Sequence, residues 1–238
     1  MEPDQRLART FGVLFIITFV TSIGALALFQ SVLDDPAGYI SGGGKDSQIY
    51  LGAFLELLLV LSNVGTAVVL YPIARRQSEL FAIGYVAARI IESVFIAAGI
   101  IFVLGVVSLR DDSPGAADLA VSLAALKDWT FLFGPGMIVP FGNGLILGYL
   151  MFRSGLVPRR WAQFALFAGA CAFIAATGAL LDVWDKQSTP QGILTFPEII
   201  WEAFFGIYLV VKGFKTSSPI LRRNAQPSVT ASPASTPG

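Results

Sequence analysis

The chain has 238 residues, of which 55% are hydrophobic and 13% are charged, and its formal net charge is zero. Soluble domains carry about 25% charged residues, so this composition indicates that lipid replaces water around much of the surface. The lack of net positive charge argues against nucleic-acid partners, while zero histidines and a single cysteine, Cys171, argue against zinc chemistry, Ser-His catalysis and an internal disulfide.

Six segments of the chain are apolar over the roughly 20 residues that a membrane-spanning helix requires. The first resembles a signal peptide because Arg6 and Arg9 precede it, but its apolar run of about 19 residues exceeds the roughly 7 to 15 of a signal core. We therefore expect it to remain as a span. The sequence predicts an all-α polytopic bundle with six transmembrane helices, at residues 10–29, 50–73, 80–108, 130–152, 162–181 and 193–211.

The basic residues predict how these spans are oriented. If the N-terminus is cytoplasmic, four basic residues fall outside the cell: Lys45, Arg110, Lys127 and Lys186. Eleven fall on cytoplasmic segments: Arg6, Arg9, Arg75, Arg76, Arg153, Arg159, Arg160, Lys212, Lys215, Arg222 and Arg223. Cytoplasmic loops are enriched in Lys and Arg, so we expect a multi-pass protein of the plasma membrane with both termini in the cytoplasm.

Charged side chains inside the spans are the main functional candidates, since each costs about 2.5 to 3.5 kcal/mol at the centre of a helix. The spans hold four acids against one arginine, which leaves three negative charges in excess when all are ionised. Arg89 and Glu92 are three residues apart and share a helix face, and Glu198 and Glu202, four apart, share another. The candidate polar intramembrane site comprises Glu56, Asn63, Arg89, Glu92, Asn143, Glu198 and Glu202.

Two interpretations of this polar set remain open. In the first, the charges hold helices in register: Arg89 pairs with Glu92 and one other acid, and the remaining acids are protonated, hydrogen-bonded or near enough to a membrane boundary to meet water. In the second, the residues surround a wet cavity in which an acid exchanges protons or binds a cation or an amine. Water access separates the two, because a transport-like site needs Glu56 or Glu198 to reach an aqueous path, whereas a structural lock is dry.

The fourth segment contains an unusual run, FGPGMIVPFGNGLILG, at residues 133–148. Pro140 has no backbone N–H and its neighbouring glycines weaken a helix, so we expect a kink or a break in mid-span. Broken spans often mark binding sites in transporters. The alternative, which we favour, is that Gly144 and Gly148 let two helices approach closely.

Basic residues and an indole adjoin one another in RSGLVPRRW, at the predicted cytoplasmic side. Such side chains suit the lipid headgroup layer of a membrane. We therefore predict headgroup contacts at Arg153, Arg159, Arg160 and Trp161.

The last residues of the chain differ in composition from the rest. Residues 216–238 are rich in Ser, Thr, Pro and Ala and lack apolar periodicity. We predict a disordered polar cytoplasmic tail here, following a six-span domain of residues 1–215.

Three stretches together resemble a known family: VLYPIARRQSELFAIGYVAARIIESVFIAAG, LGYLMFRSGLVPRRW and PEIIWEAFFGIYLVVKGF. In their order and spacing they are similar to the domain-of-unknown-function family 4386. The resemblance extends from about residue 10 to residue 215 and is weakest at residues 109–130. It implies an uncharacterised integral membrane protein of a prokaryote, with bacteria as the expected source, and implies no mechanism.

The functional expectation is a multi-pass membrane protein that is not an enzyme and requires no cofactor, with a transport-like or regulatory role. The rival is a structural or accessory protein whose charges act as helix locks and which binds lipid or a partner subunit. An intramembrane enzyme is disfavoured because no Gly-x-Ser-x-Gly nucleophile motif occurs. The expected partners are the lipid bilayer and either another protein or a second copy of the chain, and the small-molecule ligand is unknown.

Overall fold

Helices make up almost all of the structure, a computed structural model that describes residues 2–110 and 115–222. They are α1 (Pro3–Asp34), α2 (Pro36–Ile40), α3 (Asp46–Ala74), α4 (Glu79–Ser108), α5 (Ala116–Phe131), α6 (Leu147–Ser154), α7 (Arg159–Leu180), α8 (Thr189–Val211) and α9 (Pro219–Arg222). Two π-helical stretches, Leu132–Ile138 and Pro140–Ile146, connect α5 to α6. Six helices are long and apolar enough to cross a membrane: α1, α3, α4, the fourth span Ala116–Ser154, α7 and α8. The prediction of six membrane-spanning helices is confirmed.

The fourth span differs from its prediction in two ways. It begins at Ala116 instead of near residue 130 and extends over 39 residues, so that Lys127, which we placed in an outside loop, lies within it. Of the predicted kink or break at Pro140, a break is wrong, because the chain stays helical there and widens into π-helical turns. Wider turns tolerate the missing N–H of Pro140 without ending the helix.

The six spans form a closed ring in chain order. α1 packs against α3, α3 against α4, and α4 against the fourth span. The fourth span packs in turn against α7, α7 against α8, and α8 against α1. Each span therefore has two neighbours, and the inward faces of all six meet at a common centre.

Apolar side chains form two large clusters along this ring, besides a small one of Leu132, Ala176 and Ala179. One includes Phe11, Leu70, Met151, Trp201 and Phe205, and the other includes Phe29, Val32, Tyr39, Ile49 and Val106. Buried polar residues lie between them: along α3, Glu56, Asn63 and Thr66 separate Ala53 of the second cluster from Ala67 of the first. The centre of the ring is thus a polar layer with apolar packing on both sides.

The outward faces of the ring expose large apolar side chains, among them Val20, Leu61, Val94, Ile101 and Ile207. A soluble protein rarely exposes apolar surface on this scale. Hydrocarbon chains of lipid are the solvent that suits it, in agreement with the composition of the chain.

Both ends of the described chain meet at one end of the ring. The side-chain amide of Gln5 donates a hydrogen bond to the carbonyl oxygen of Phe214 at 2.8 Å, and the backbone N–H of Phe214 donates one to Gln5 at 3.0 Å. Ser218 Oγ donates to the carbonyl oxygen of Ser154 at 2.6 Å, and Ile220 of α9 is buried. The ordered structure therefore continues to Arg222, past the predicted boundary at residue 215. Residues 223–238 of the predicted tail lie outside the described residues.

The opposite end of the ring is closed over α2 by Arg110. Its guanidinium pairs with the Asp46 carboxylate, donates to the carbonyl oxygen of Gly43 at 2.7 Å and lies 4.5 Å from the ring centroid of Tyr39. Burial, and a 2.5 Å hydrogen bond from its own hydroxyl to Asp46, raise the pKa of the Tyr39 phenol. These contacts attach the α2 turn to α3 and α4.

Glycines let the fourth span and α7 approach each other closely. A methyl group on Gly169 would lie 2.7 Å from Cα of Gly144 and 2.8 Å from the carbonyl oxygen of Pro140. One on Gly148 would lie 2.9 Å from Cβ of Ala165. The packing role that we favoured for Gly144 and Gly148 is confirmed by these distances.

Replacing Gly169 with alanine should destabilise the protein by about 1 to 3 kcal/mol, because the added methyl group overlaps backbone atoms of the fourth span. Gly192 of α8 is the matched control, since a methyl group there meets no described atom within 4 Å. Gly192→Ala should leave stability unchanged or raise it slightly. Thermal unfolding of the two purified variants measures the difference, and equal midpoints would contradict the close approach.

Candidate functional site

The first polar group in the ring joins α3 to α4 through Arg89, Glu92 and Asn63. Arg89 donates one hydrogen bond to Glu92 at 2.6 Å and another to the side-chain oxygen of Asn63. The Asn63 amide donates to the other oxygen of Glu92 at 2.9 Å. Each residue therefore contacts the other two, and all three are buried. We call this group the α3–α4 lock, because the charges of Arg89 and Glu92 offset each other without a ligand. Arg89 Nε alone in this group has no hydrogen-bond partner in the described residues.

A second polar group is an ion pair between Lys127 of the fourth span and Glu56 of α3. The Lys127 ammonium donates to both carboxylate oxygens, at 2.6 and 2.7 Å, and lies 5.1 Å from the ring centroid of Phe29. Lys127 is only 4% exposed. The pair links two spans across the ring and, like the lock, offsets the cost of each buried charge with an opposite one.

This pair corrects the charge count made from the sequence. With Lys127 added to the candidate polar site, its four acids face two cations, which leaves two negative charges in excess instead of three when all are ionised. Three basic residues remain on the predicted outside: Lys45, Arg110 and Lys186. The partner of Lys127 lies 71 residues away in the chain, so no local pattern reveals that its charge is compensated.

The two acids in excess, Glu198 and Glu202, lie on α8. Glu202 accepts a hydrogen bond from the side-chain amide of Asn143 at 2.6 Å. The backbone carbonyl oxygen of Asn143 accepts another from the indole N–H of Trp201 at 3.0 Å. Glu198 is 3% exposed, yet within the described chain neither of its carboxylate oxygens has a hydrogen-bond partner. The side-chain oxygen of Asn143 is buried and unpartnered in the same sense. Three acceptor oxygens are therefore left without a donor.

These acceptors border a cavity of about 260 Å³ at the centre of the ring, which we call the central cavity. All six spans line it: Thr18, Asn63, Arg89, Asn143, Ala172 and Glu198 represent α1, α3, α4, the fourth span, α7 and α8. A buried polar group without a partner costs free energy unless water or a ligand reaches it. The central cavity supplies the space for such a molecule.

A second cavity of about 460 Å³, the peripheral cavity, adjoins the central one. The two share six lining residues: Ser22, Leu59, Phe131, Pro135, Gly136 and Gln191. The far wall of the peripheral cavity includes Asp34, Asp128 and Lys186, at the end of the ring opposite the chain termini. Glu56 lines the peripheral cavity and Glu198 the central one, so both acids that the transport-like interpretation requires adjoin one of these two neighbouring cavities.

The structure brings most of the predicted polar site together. Asn63, Arg89, Glu92, Asn143, Glu198 and Glu202 all line the central cavity, whereas Glu56 lines the peripheral one. The sequence analysis missed Lys127, and also Gln191 and Thr195, which line the central cavity on α8. The sequence does carry a pattern that could have predicted the two α8 residues. Gln191 lies four residues before Thr195, and Thr195 lies three before Glu198, so all three share one helix face.

The predicted headgroup residues lie elsewhere, near the end of the ring that holds the termini. Arg153, Arg159 and Arg160 are exposed. Trp161 is half-buried and stacks on Phe204, with ring centroids 3.7 Å apart. Their contact with lipid stays a prediction.

Arg89→Gln should lower the free energy of unfolding by about 3 to 5 kcal/mol, because it leaves Glu92 buried without its cation. The double variant Arg89→Gln/Glu92→Gln should recover part of this loss. Arg75→Gln is the matched control, since Arg75 is exposed and forms no ion pair within the described residues. Thermal unfolding in detergent measures all three, and a loss no larger than that of the control would contradict the lock.

Comparison with known proteins agrees with the resemblance seen in the sequence. An "Uncharacterized protein" of Archaeoglobus fulgidus is 26% identical over 167 residues, which cover 68% of this chain and 84% of the relative. No solved structure matches the chain. The profile of a family described as "Domain of unknown function (DUF4386)" matches residues 10–213. The match covers nearly all of the six spans, and the chain belongs to the DUF4386 family.

Proposed function

We propose that this protein is a transport-like membrane protein that admits a small cation, the proton included, from one side of the membrane to the central cavity. The observation that carries the proposal is Glu198, a buried carboxylate with no hydrogen-bond partner in the described chain, on the wall of a cavity. A residue that served packing alone would gain nothing from this arrangement, because its unsatisfied oxygens weaken the fold.

The charge balance around the central cavity favours a cation over an anion. Arg89 is engaged by Glu92 and Asn63, and Lys127 by Glu56. When ionised, Glu198 and Glu202 add negative charge that no basic side chain within 4.0 Å offsets in the described residues. In a medium of low dielectric constant, this excess attracts positive charge more strongly than it would in water.

The shape of the two cavities supports entry from the extracellular side. The peripheral cavity reaches the end of the ring opposite the termini, where Asp34 and Asp128 line it. The excess of basic residues at the end that holds the termini favours a cytoplasmic location for that end in the plasma membrane. Acidic residues at the outer opening raise the local concentration of cations there.

An accessory role is the second candidate, and the α3–α4 lock favours it. Arg89, Asn63 and Glu92 satisfy one another and need no ligand. In this case Arg153, Arg159, Arg160 and Trp161 would bind lipid headgroups or a partner subunit from the cytoplasmic side. The accessory role leaves Glu198 without an explanation, and for that reason we prefer the transport-like function.

Solid-supported membrane electrophysiology tests the proposed function directly. Proteoliposomes are exposed to concentration jumps of protons, sodium, potassium and ammonium. We expect at least one jump to produce a current that requires the protein, because a cation binding at Glu198 displaces charge within the membrane. Glu198→Gln should abolish that current, since it removes the negative charge and keeps the size of the side chain.

Glu79→Gln is the matched control for this measurement, because Glu79 is an exposed carboxylate at the start of α4 and lines neither cavity. It should conduct as the wild type does. Currents that are equal in protein-free liposomes, or that persist in Glu198→Gln, would contradict the proposal.

Epitope tags test the orientation. A tag after Gly238 should bind antibody only once cells are permeabilised, because eleven basic residues favour a cytoplasmic location for that side of the membrane. A tag inserted after Asp185, in the exposed turn between α7 and α8, should bind antibody on intact cells. The reverse pattern would place the opening of the peripheral cavity in the cytoplasm.

A further inference from the structure

Several buried polar atoms on the wall of the central cavity have no hydrogen-bond partner within the described residues. The two carboxylate oxygens of Glu198 and the side-chain oxygen of Asn143 are buried and unpartnered within the described residues. The Asn143 amide donates to Glu202, and the terminal nitrogens of Arg89 donate within the α3–α4 lock. Arg89 Nε is the one buried donor on this wall without a partner in the described residues, against three unpartnered acceptors. A molecule that satisfies this wall must therefore bring donors, and it must bring them together with positive charge.

A primary ammonium group meets both requirements. It carries one positive charge and three N–H donors, as the lysine side chain does, and three acceptors await them. A proton on Glu198 would satisfy fewer of these oxygens. Calcium takes six to eight oxygen ligands, which is more than the three buried unpartnered acceptors and the second carboxylate oxygen of Glu202 supply together.

The remaining wall of the cavity fits a short hydrocarbon chain. Phe19, Ile23, Leu59, Val139 and Ile199 line it beside the polar residues. Its volume of about 260 Å³ falls just below the roughly 300 to 1,000 Å³ typical of pockets for drug-sized ligands. The occupant is therefore small and amphipathic.

We infer that the central cavity is a binding site for a small primary alkylammonium ion, whose nitrogen is held by Glu198 and Asn143 and whose carbon chain lies against the apolar wall. The inference rests on the proposed function and narrows its ligand from small cations in general to primary amines. Quaternary ammonium ions are excluded by the same geometry, because they have no N–H to donate.

Isothermal titration calorimetry of the purified full-length protein tests the inference with three probes: n-butylammonium, tetramethylammonium and sodium. We expect n-butylammonium to bind at least about tenfold more tightly than tetramethylammonium, because hydrogen bonds to a charged group are the stronger ones. Glu198→Gln should weaken n-butylammonium binding by about 10- to 100-fold, while Glu79→Gln leaves it unchanged.

A second variant tests the same site in case Glu198→Gln does not fold. Thr195→Leu enlarges a side chain that lines the central cavity and keeps Glu198, so it should weaken n-butylammonium binding by filling the site. Thermal unfolding verifies that each variant is folded.

The possible results distinguish failure of the amine site from failure of the proposed function. Tetramethylammonium that binds as tightly as n-butylammonium would overturn the role of the N–H donors. If n-butylammonium fails to bind while another cation produces a current that depends on Glu198, the amine is wrong and the proposed function stands. If neither n-butylammonium binding nor such a current occurs, both are wrong.

Discussion

The structure depends on one constraint: a charge inside hydrocarbon must find a partner, because its desolvation is otherwise too costly. Arg89 meets the constraint with Glu92 and Asn63, and Lys127 meets it with Glu56. The first solution joins the neighbouring spans α3 and α4 and the second joins α3 to the fourth span across the ring, so the same contacts that neutralise charge also fix the ring. Glu198 is the exception, since no described residue pairs with it. That exception directs attention to the central cavity as a functional site.

The two interpretations of the polar residues therefore apply to different members of the set. The α3–α4 lock is closed on itself and explains why α3 and α4 stay in register. Glu198, Glu202 and Asn143 lie on α8 and the fourth span, on the other side of the central cavity. The fourth span is π-helical where Asn143 sits, and such stretches are frequent at functional sites. The lock and the residues of the proposed ligand site thus line one cavity within one polar layer.

Hydropathy alone predicted the class of fold and the six spans, because lipid imposes a length and a composition on every membrane-spanning helix. Hydropathy did not predict that the fourth span includes α5, because Lys127 and Asp128 interrupt the apolar pattern there. The Glu56 that compensates Lys127 is distant in sequence. Helical spacing correctly grouped Arg89 with Glu92, but it could not reveal that Asn63 closes the triangle from another helix. Which acid lacks a partner depends on contacts between spans, and that information is absent from any single segment.

Cysteine accessibility at Thr195 tests the central claim, that water from the extracellular side reaches the wall of the central cavity. In a Cys171→Ser background, Thr195→Cys is compared with Ile200→Cys, which lies on the lipid-facing side of α8, using a water-soluble cationic methanethiosulfonate applied to intact cells. Only a hydrated thiol ionises and reacts readily. The account predicts modification of Thr195→Cys and not of Ile200→Cys. Equal lack of reaction at the two positions would contradict it and leave the polar layer a dry structural lock.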